Sequence, residues 1–92
     1  MTVTVSYSGQ VRAAAGVSDE KFEVPDGCAL DQAVARLAAA RGAALKSLLL
    51  DAAGRVQPAL LLFVNDEQVM TGEARMLMPG DRILLMAPIS GG

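Results

Sequence analysis

The sequence predicts a two-layer α+β domain in which one helix lies across one face of a mixed sheet. Three observations carry this: strict alternation over the first eight residues, one alanine-rich stretch at helical spacing, and later apolar runs bounded by turn residues. One helix cannot cover two faces of a sheet, so the layers number two. A chain of 92 residues fits a single domain (1–92, with 87–92 as an extended tail) and leaves no volume for a second core.

Thr2, Thr4, Ser6 and Ser8 alternate with Val3, Val5 and Tyr7, the signature of a strand with one buried side. Residues 9–16 read as a small-residue connection. Lys21-Phe22-Glu23-Val24 alternates again until Pro25-Asp26-Gly27 stops it, so the first two strands form a hairpin with a broad loop. Leu30, Val34, Leu37 and Arg41 recur at helical spacing among Ala33, Ala35, Ala38, Ala39 and Ala40, which predicts a helix over 29–41 ending at Gly42. Asp31 in its first turn suits the helix dipole. No Ser or Thr stands at the N-cap, so Asp26 or Cys28 must serve there or the cap is weak.

Residues 45–50 are apolar and 51–54 form a turn; Leu48-Leu49-Leu50 fits a short strand or a helical turn equally. Residues 59–64 read as a central strand, too continuously apolar to face water on either side. Asn65-Asp66 is a tight-turn signal leading into Glu67-Gln68-Val69. Pro79-Gly80-Asp81 is another, feeding a last strand over 82–86. The order strand, strand, helix, strand, short strand, strand is that of a β-grasp.

Composition narrows the function. Hydrophobic residues make up 52% of the chain, with a mean hydropathy of +0.37, more than a small interior absorbs, so some belong to a partner surface. Aromatics at 3% and a net charge of −2 without a basic run oppose a nucleic-acid partner. There is no histidine and one cysteine, Cys28. That inventory excludes an iron–sulfur cluster, a zinc site and a histidine-activated nucleophile, and no metal site is expected. A single thiol fits a reducing compartment. The N-terminus lacks a signal-peptide pattern, and the longest apolar run is too short to span a bilayer. The expectation is a soluble cytoplasmic protein with no membrane partner.

Chemistry is expected at the end of the chain. Pro88 is rigid and Ile89 apolar; Ser90, Gly91 and Gly92 carry little or no bulk. A carboxylate that must meet the α-phosphate of ATP inside another protein's pocket needs a thin thread, and glycine gives the narrowest backbone. Six extended residues reach about 20 Å. Pro88 limits the entropy lost when such a thread orders. A frayed terminus without function is the plain alternative for the ending taken alone.

Phe63-Val64-Asn65-Asp66-Glu67 after an apolar run, Met78-Pro79-Gly80-Asp81 before the last strand, and Pro88-Ile89-Ser90-Gly91-Gly92 at the end occur in this order. With these pieces the sequence resembles the MoaD/ThiS family of ubiquitin-like sulfur carriers over essentially its whole length. The resemblance implies a carrier rather than an enzyme. A ubiquitin-activating-enzyme-like adenylyltransferase would use ATP to activate Gly92, and a persulfide donor would convert it to a thiocarboxylate. That group would then pass sulfur to a synthase. Gly91 would give clearance, and Pro88, Ile89 and Ser90 would set the tail's path. No cofactor is expected on the chain itself. The tail most resembles the molybdopterin-synthase small subunit, which implies molybdenum cofactor synthesis and a large-subunit partner. Carriers for cysteine or another thio-metabolite, and a ubiquitin-like protein modifier, are the alternatives. The segment 45–58 is longer than compact members have, which disfavours thiazole-type carriers.

Two further features carry expectations. Cys28 beside a helix start is read as a structural thiol rather than a reactive one. Met70, Met76, Met78 and Met86 are candidates for an adaptable binding face near the tail, with core filling the preferred reading for at least some of them.

Overall fold

The structure, a computed structural model of the chain, describes residues 1–87. Along it run β1 (Thr2–Gly9), α1 (Gln10–Ala15), β2 (Asp19–Glu23), α2 (Leu30–Arg41), α3 (Ala43–Leu49), β3 (Leu61–Val64), β4 (Glu67–Val69) and β5 (Arg82–Ala87). The strands make one mixed sheet in the order β2-β1-β5-β3-β4. β1 runs antiparallel to β2 and parallel to β5, while β3 runs antiparallel to both β5 and β4. The last strand of the sequence is therefore the middle strand of the sheet, a β-grasp topology.

The alternation in β1 does what its pattern predicts: Val3, Val5 and Tyr7 are buried and their polar neighbours are not. The connection to β2 differs from the expected loop because it contains α1. Gly9, at φ 62° and ψ −134°, turns the chain from strand to helix through a conformation that side chains disfavour. Val11 is the one buried residue of α1.

The predicted helix appears as α2, burying Leu30, Ala33, Val34, Leu37 and Ala38. Its N-cap is Ala29, neither Asp26 nor Cys28. The Ala29 N–H donates to Gln32 Oε1 at 3.1 Å and the Gln32 N–H to Asp31 Oδ1 at 3.0 Å, so polar side chains inside the first turn answer end donors without a Ser or Thr. Gly42 at φ 99° breaks the helix, and α3 follows at once. The open question over residues 45–50 is thus settled as a helix, with Leu45 and Leu49 buried one turn apart; Leu50 then bridges to Val56.

All three helices pack on one side of the sheet. Val11, Leu37, Leu45 and Leu49 join Val5, Leu62, Ile83 and Leu85 in a single core. The expectation that 59–64 is a strand buried on both sides is corrected by the structure. β3 lies between β5 and β4, yet its burial alternates, with Leu62 and Val64 buried against the helices and Leu61 and Phe63 only half-buried. Its apolar run serves two different surfaces.

Candidate functional site

β5 is held along both edges. On one side Thr4↔Arg82 through Gly9↔Ala87 pair with β1, and on the other Leu61↔Met86 through Val64↔Ile83 pair with β3. Ala87, expected from the sequence to open the tail, is the last residue of this strand. Pro88, Ile89, Ser90, Gly91 and Gly92 lie outside the described residues. The strand that ends at Ala87, the root from which residues 88–92 continue, is thus paired along both edges.

Beside that root lies an apolar patch. The strand registers set Leu61 opposite Met86 and Phe63 opposite Leu84, all on the side without helices. Ser8 lies opposite Met86, Ser6 opposite Leu84, and Gln68 opposite Phe63, giving a polar rim. The four apolar residues are half-buried. A solvent-facing sheet side ordinarily carries residues like the Thr4, Ser6 and Ser8 of β1. An aromatic, two leucines and a methionine clustered there mark a recognition surface. Sequence reasoning missed Leu61, Phe63 and Leu84. The signal was present in two strands apolar at nearly every position, in a chain with helices for only one face.

The methionines do not form one face. Met86 is in the patch. Met70 follows β4, and continuing that strand's register sets it level with Leu61 on the open side, 63% exposed. Met76 and Met78 are elsewhere. Met76 bridges to Ala29, and Gly80 donates its N–H to Thr2 O at 2.9 Å, so this segment sits at the opposite end of β1 from Gly9. Eight strand residues separate the two ends by about 25 Å. Neither Met76 nor Met78 fills the core, since both are exposed.

The two internal motifs meet as a clamp. Asn65 and Asp66 both have positive φ, 51° and 70°, as a two-residue hairpin of type I′ requires. The Asn65 N–H donates to Arg82 O at 2.8 Å, and the Arg82 N–H donates to Asn65 Oδ1 at 2.9 Å. Asn65 Nδ2 donates to Asp81 Oδ1 at 2.9 Å, and the Met78 N–H donates to Asp81 Oδ2 at 2.8 Å. Asp81 is the buried charged side chain among the described residues, and these donors answer its carboxylate. The clamp fixes where β5 begins.

Cys28 is buried; its thiol donates to Ala29 O at 3.4 Å, and burial pushes its pKa up. A thiol so held is poorly ionised and poorly placed for nucleophilic work. Among the described residues no group of three Cys, His, Asp or Glu side chains is placed to hold a metal, and no helix is long and apolar enough to cross a membrane. One depression, about 480 Å³ between α2 and the turns near residues 55 and 71, is an open groove lined in part by Asp31, Gln32, Arg55 and Thr71. It lies on the helix side, away from the patch.

A middle strand that ends the domain, helices confined to one face and an apolar opposite face define a ubiquitin-like β-grasp protein. The sequence matches the ThiS family over residues 5–92, and the chain belongs to that family. It is 30% identical over 92 residues to the molybdopterin synthase sulfur carrier subunit of Chlamydomonas reinhardtii, covering 100% of both chains. Among solved structures it superposes on SAMP1 from Haloferax volcanii with a TM-score of 0.85 at 24% identity, covering 100% of both chains. Urm1 from Trypanosoma brucei gives a TM-score of 0.76 at 21% identity, over 99% of this chain and 95% of the other. These two structures establish the shared fold.

Proposed function

We propose that this chain is a sulfur carrier for molybdopterin synthesis, working through a carboxylate on Gly92. The observation that carries the reading is the adjacency of the apolar patch to the tail root: Met86, inside the patch, immediately precedes Ala87, the last residue of β5. A partner that grips the patch holds the root of the thread it must receive, and five residues beyond Ala87 reach about 17 Å when extended. Membership of the ThiS family and full-length similarity to a molybdopterin synthase sulfur carrier subunit support both the chemistry and its destination.

In this reading an adenylyltransferase joins the Gly92 carboxylate to the α-phosphate of ATP and pyrophosphate leaves. The outer sulfur of a donor persulfide attacks the acyl carbon and AMP leaves. A second donor thiol then cleaves the S–S bond inherited from the persulfide, forming a disulfide with the donor sulfur and releasing the thiocarboxylate. The chain contributes binding and presentation, and its partners contribute the acids, bases and nucleophiles. The large subunit of the synthase then takes the sulfur.

Intact-protein mass spectrometry after incubation with the adenylyltransferase, ATP and a sulfur donor tests this. The expected gain is one sulfur less one oxygen, localised to the C-terminal peptide. Adding one residue after Gly92 should abolish the gain while leaving the fold unchanged. An unchanged mass with the native partner overturns the reading, as does sulfur transfer that survives the extension.

A further inference from the structure

The open side of the sheet carries an exposed thioether beside its apolar patch. Met70 is exposed and directly follows Val69, the β4 residue paired with Leu62, so that continuing the register by one residue brings it level with Leu61 and Met86. Its carbonyl accepts the Glu73 N–H at 3.0 Å, closing a turn that holds the residue in place. Met76 and Met78 are comparably exposed, 56% and 64%, but sit at the far end of β1. Of the other sulfurs, Met86 is half-buried in β5, Met1 packs partly buried against the core and Cys28 is 4% exposed.

We propose that Met70 is an oxidation switch on the docking face: a peroxide converts its thioether to the sulfoxide, and the oxidised face releases the sulfur-accepting partner. In the reaction the sulfur lone pair attacks one peroxide oxygen. An S–O bond forms as the O–O bond breaks, and the departing oxygen leaves as water after taking up a proton. Sulfur loses two electrons and the peroxide gains them. A sulfoxide is polar and makes a poor contact where a flexible apolar side chain fitted. The exposed thioethers react before Cys28, although thiols are ordinarily the more reactive sulfurs, because burial keeps peroxide from Cys28 and disfavours its thiolate. Oxidation at Met76 and Met78 occurs as readily and leaves docking unaltered.

The switch rests on the proposed docking role of the open face, and the test separates the two. The full chain is treated with hydrogen peroxide, peptide mapping orders the oxidised residues, and affinity for the molybdopterin synthase large subunit is measured by calorimetry before and after. Each variant is compared with its own untreated state. The expected result is early oxidation of Met70, Met76 and Met78, with Cys28 intact and affinity lowered about tenfold. The double variant M76L/M78L should lose as much affinity on treatment as the wild type, and M70L should lose almost none. An M70L protein that responds like the wild type, or Cys28 oxidising first, overturns the switch. Failure of the untreated chain to bind the large subunit overturns the docking role itself, and the switch with it.

Discussion

The two faces of β3 and β5 are built from the same kinds of residue and have opposite fates. Leu62, Val64, Ile83 and Leu85 point to the helices and are buried, whereas Leu61, Phe63, Leu84 and Met86 point away and meet no helix. Hydrophobicity alone does not distinguish them. What distinguishes them is cover: the helices shield one side of the five-stranded sheet and leave the second side bare. Apolar residues on the first face stabilise the fold, and in the proposed function those on the second create affinity.

The sharpest way to break this contrast is to cut neighbouring side chains of one strand. Leu85→Ala should destabilise by about 3 kcal/mol, because it empties a fully buried site. Leu84→Ala should cost less than about 1 kcal/mol in stability while weakening large-subunit binding about tenfold or more. Urea unfolding and calorimetry on both variants check this. Equal stability losses would mean that the open face is a second core rather than a docking surface.

The same contrast explains which parts of the molecule were legible from sequence. β1 was readable because its polar positions announce a solvent side, and α2 because apolar residues recur at a helical period over twelve residues. β3 misleads because an exposed apolar face and a core face look alike in sequence when both are apolar. α1 escaped notice because six residues with one buried side chain, Val11, contain too little periodicity to register. The leucine run of α3 has no polar phase to separate strand from helix; only Leu45 and Leu49, one turn apart, reveal it. At the site, the sequence pointed to the tail, and packing supplied the patch beside it. Scattering of the methionines between two ends depends on the parallel register of β1 and β5, which no local pattern encodes.

The clamp at the start of β5 sharpens the comparison from a different side, since it governs both faces at once. Asn65→Gly keeps the left-handed turn and removes the amide that reaches Asp81 and Arg82. It should cost about 1–2 kcal/mol, largely from leaving a buried carboxylate oxygen without a donor. Asn65→Ala adds a strained φ of 51° and should cost about 1 kcal/mol more. Chemical denaturation of the two variants separates hydrogen bonding from backbone strain; equal losses would remove the strain from the account.

The smallest effect belongs to a polar clasp on the helix side. Glu20 Oε2 accepts the Tyr7 hydroxyl at 2.6 Å and Arg41 Nε at 3.0 Å, and Arg41 pairs with the other carboxylate oxygen while lying 5.4 Å from the centroid of the Phe22 ring. The hydrogen bond from Arg41 is the main reason the Glu20 pKa falls below its ordinary value of 4.5, with Tyr7 adding to the shift and burial opposing it. Burial and the facing carboxylate raise the Tyr7 pKa far above the usual tyrosine range, so its hydroxyl stays a donor. A carboxyl group with a lowered folded-state pKa stabilises the fold above its unfolded value, and that contribution disappears as pH falls through the folded value. Glu20→Gln should therefore lower stability near neutral pH by no more than about 1 kcal/mol, since solvent screens the partly exposed pair. The gap to the wild type should close as the medium is acidified below pH 4.5. Urea midpoints across that range read the effect directly. Large-subunit affinity at neutral pH should be unchanged in this variant, because the clasp fastens the helix layer and touches nothing on the open face. A loss of affinity would mean that the two faces of the sheet are energetically coupled.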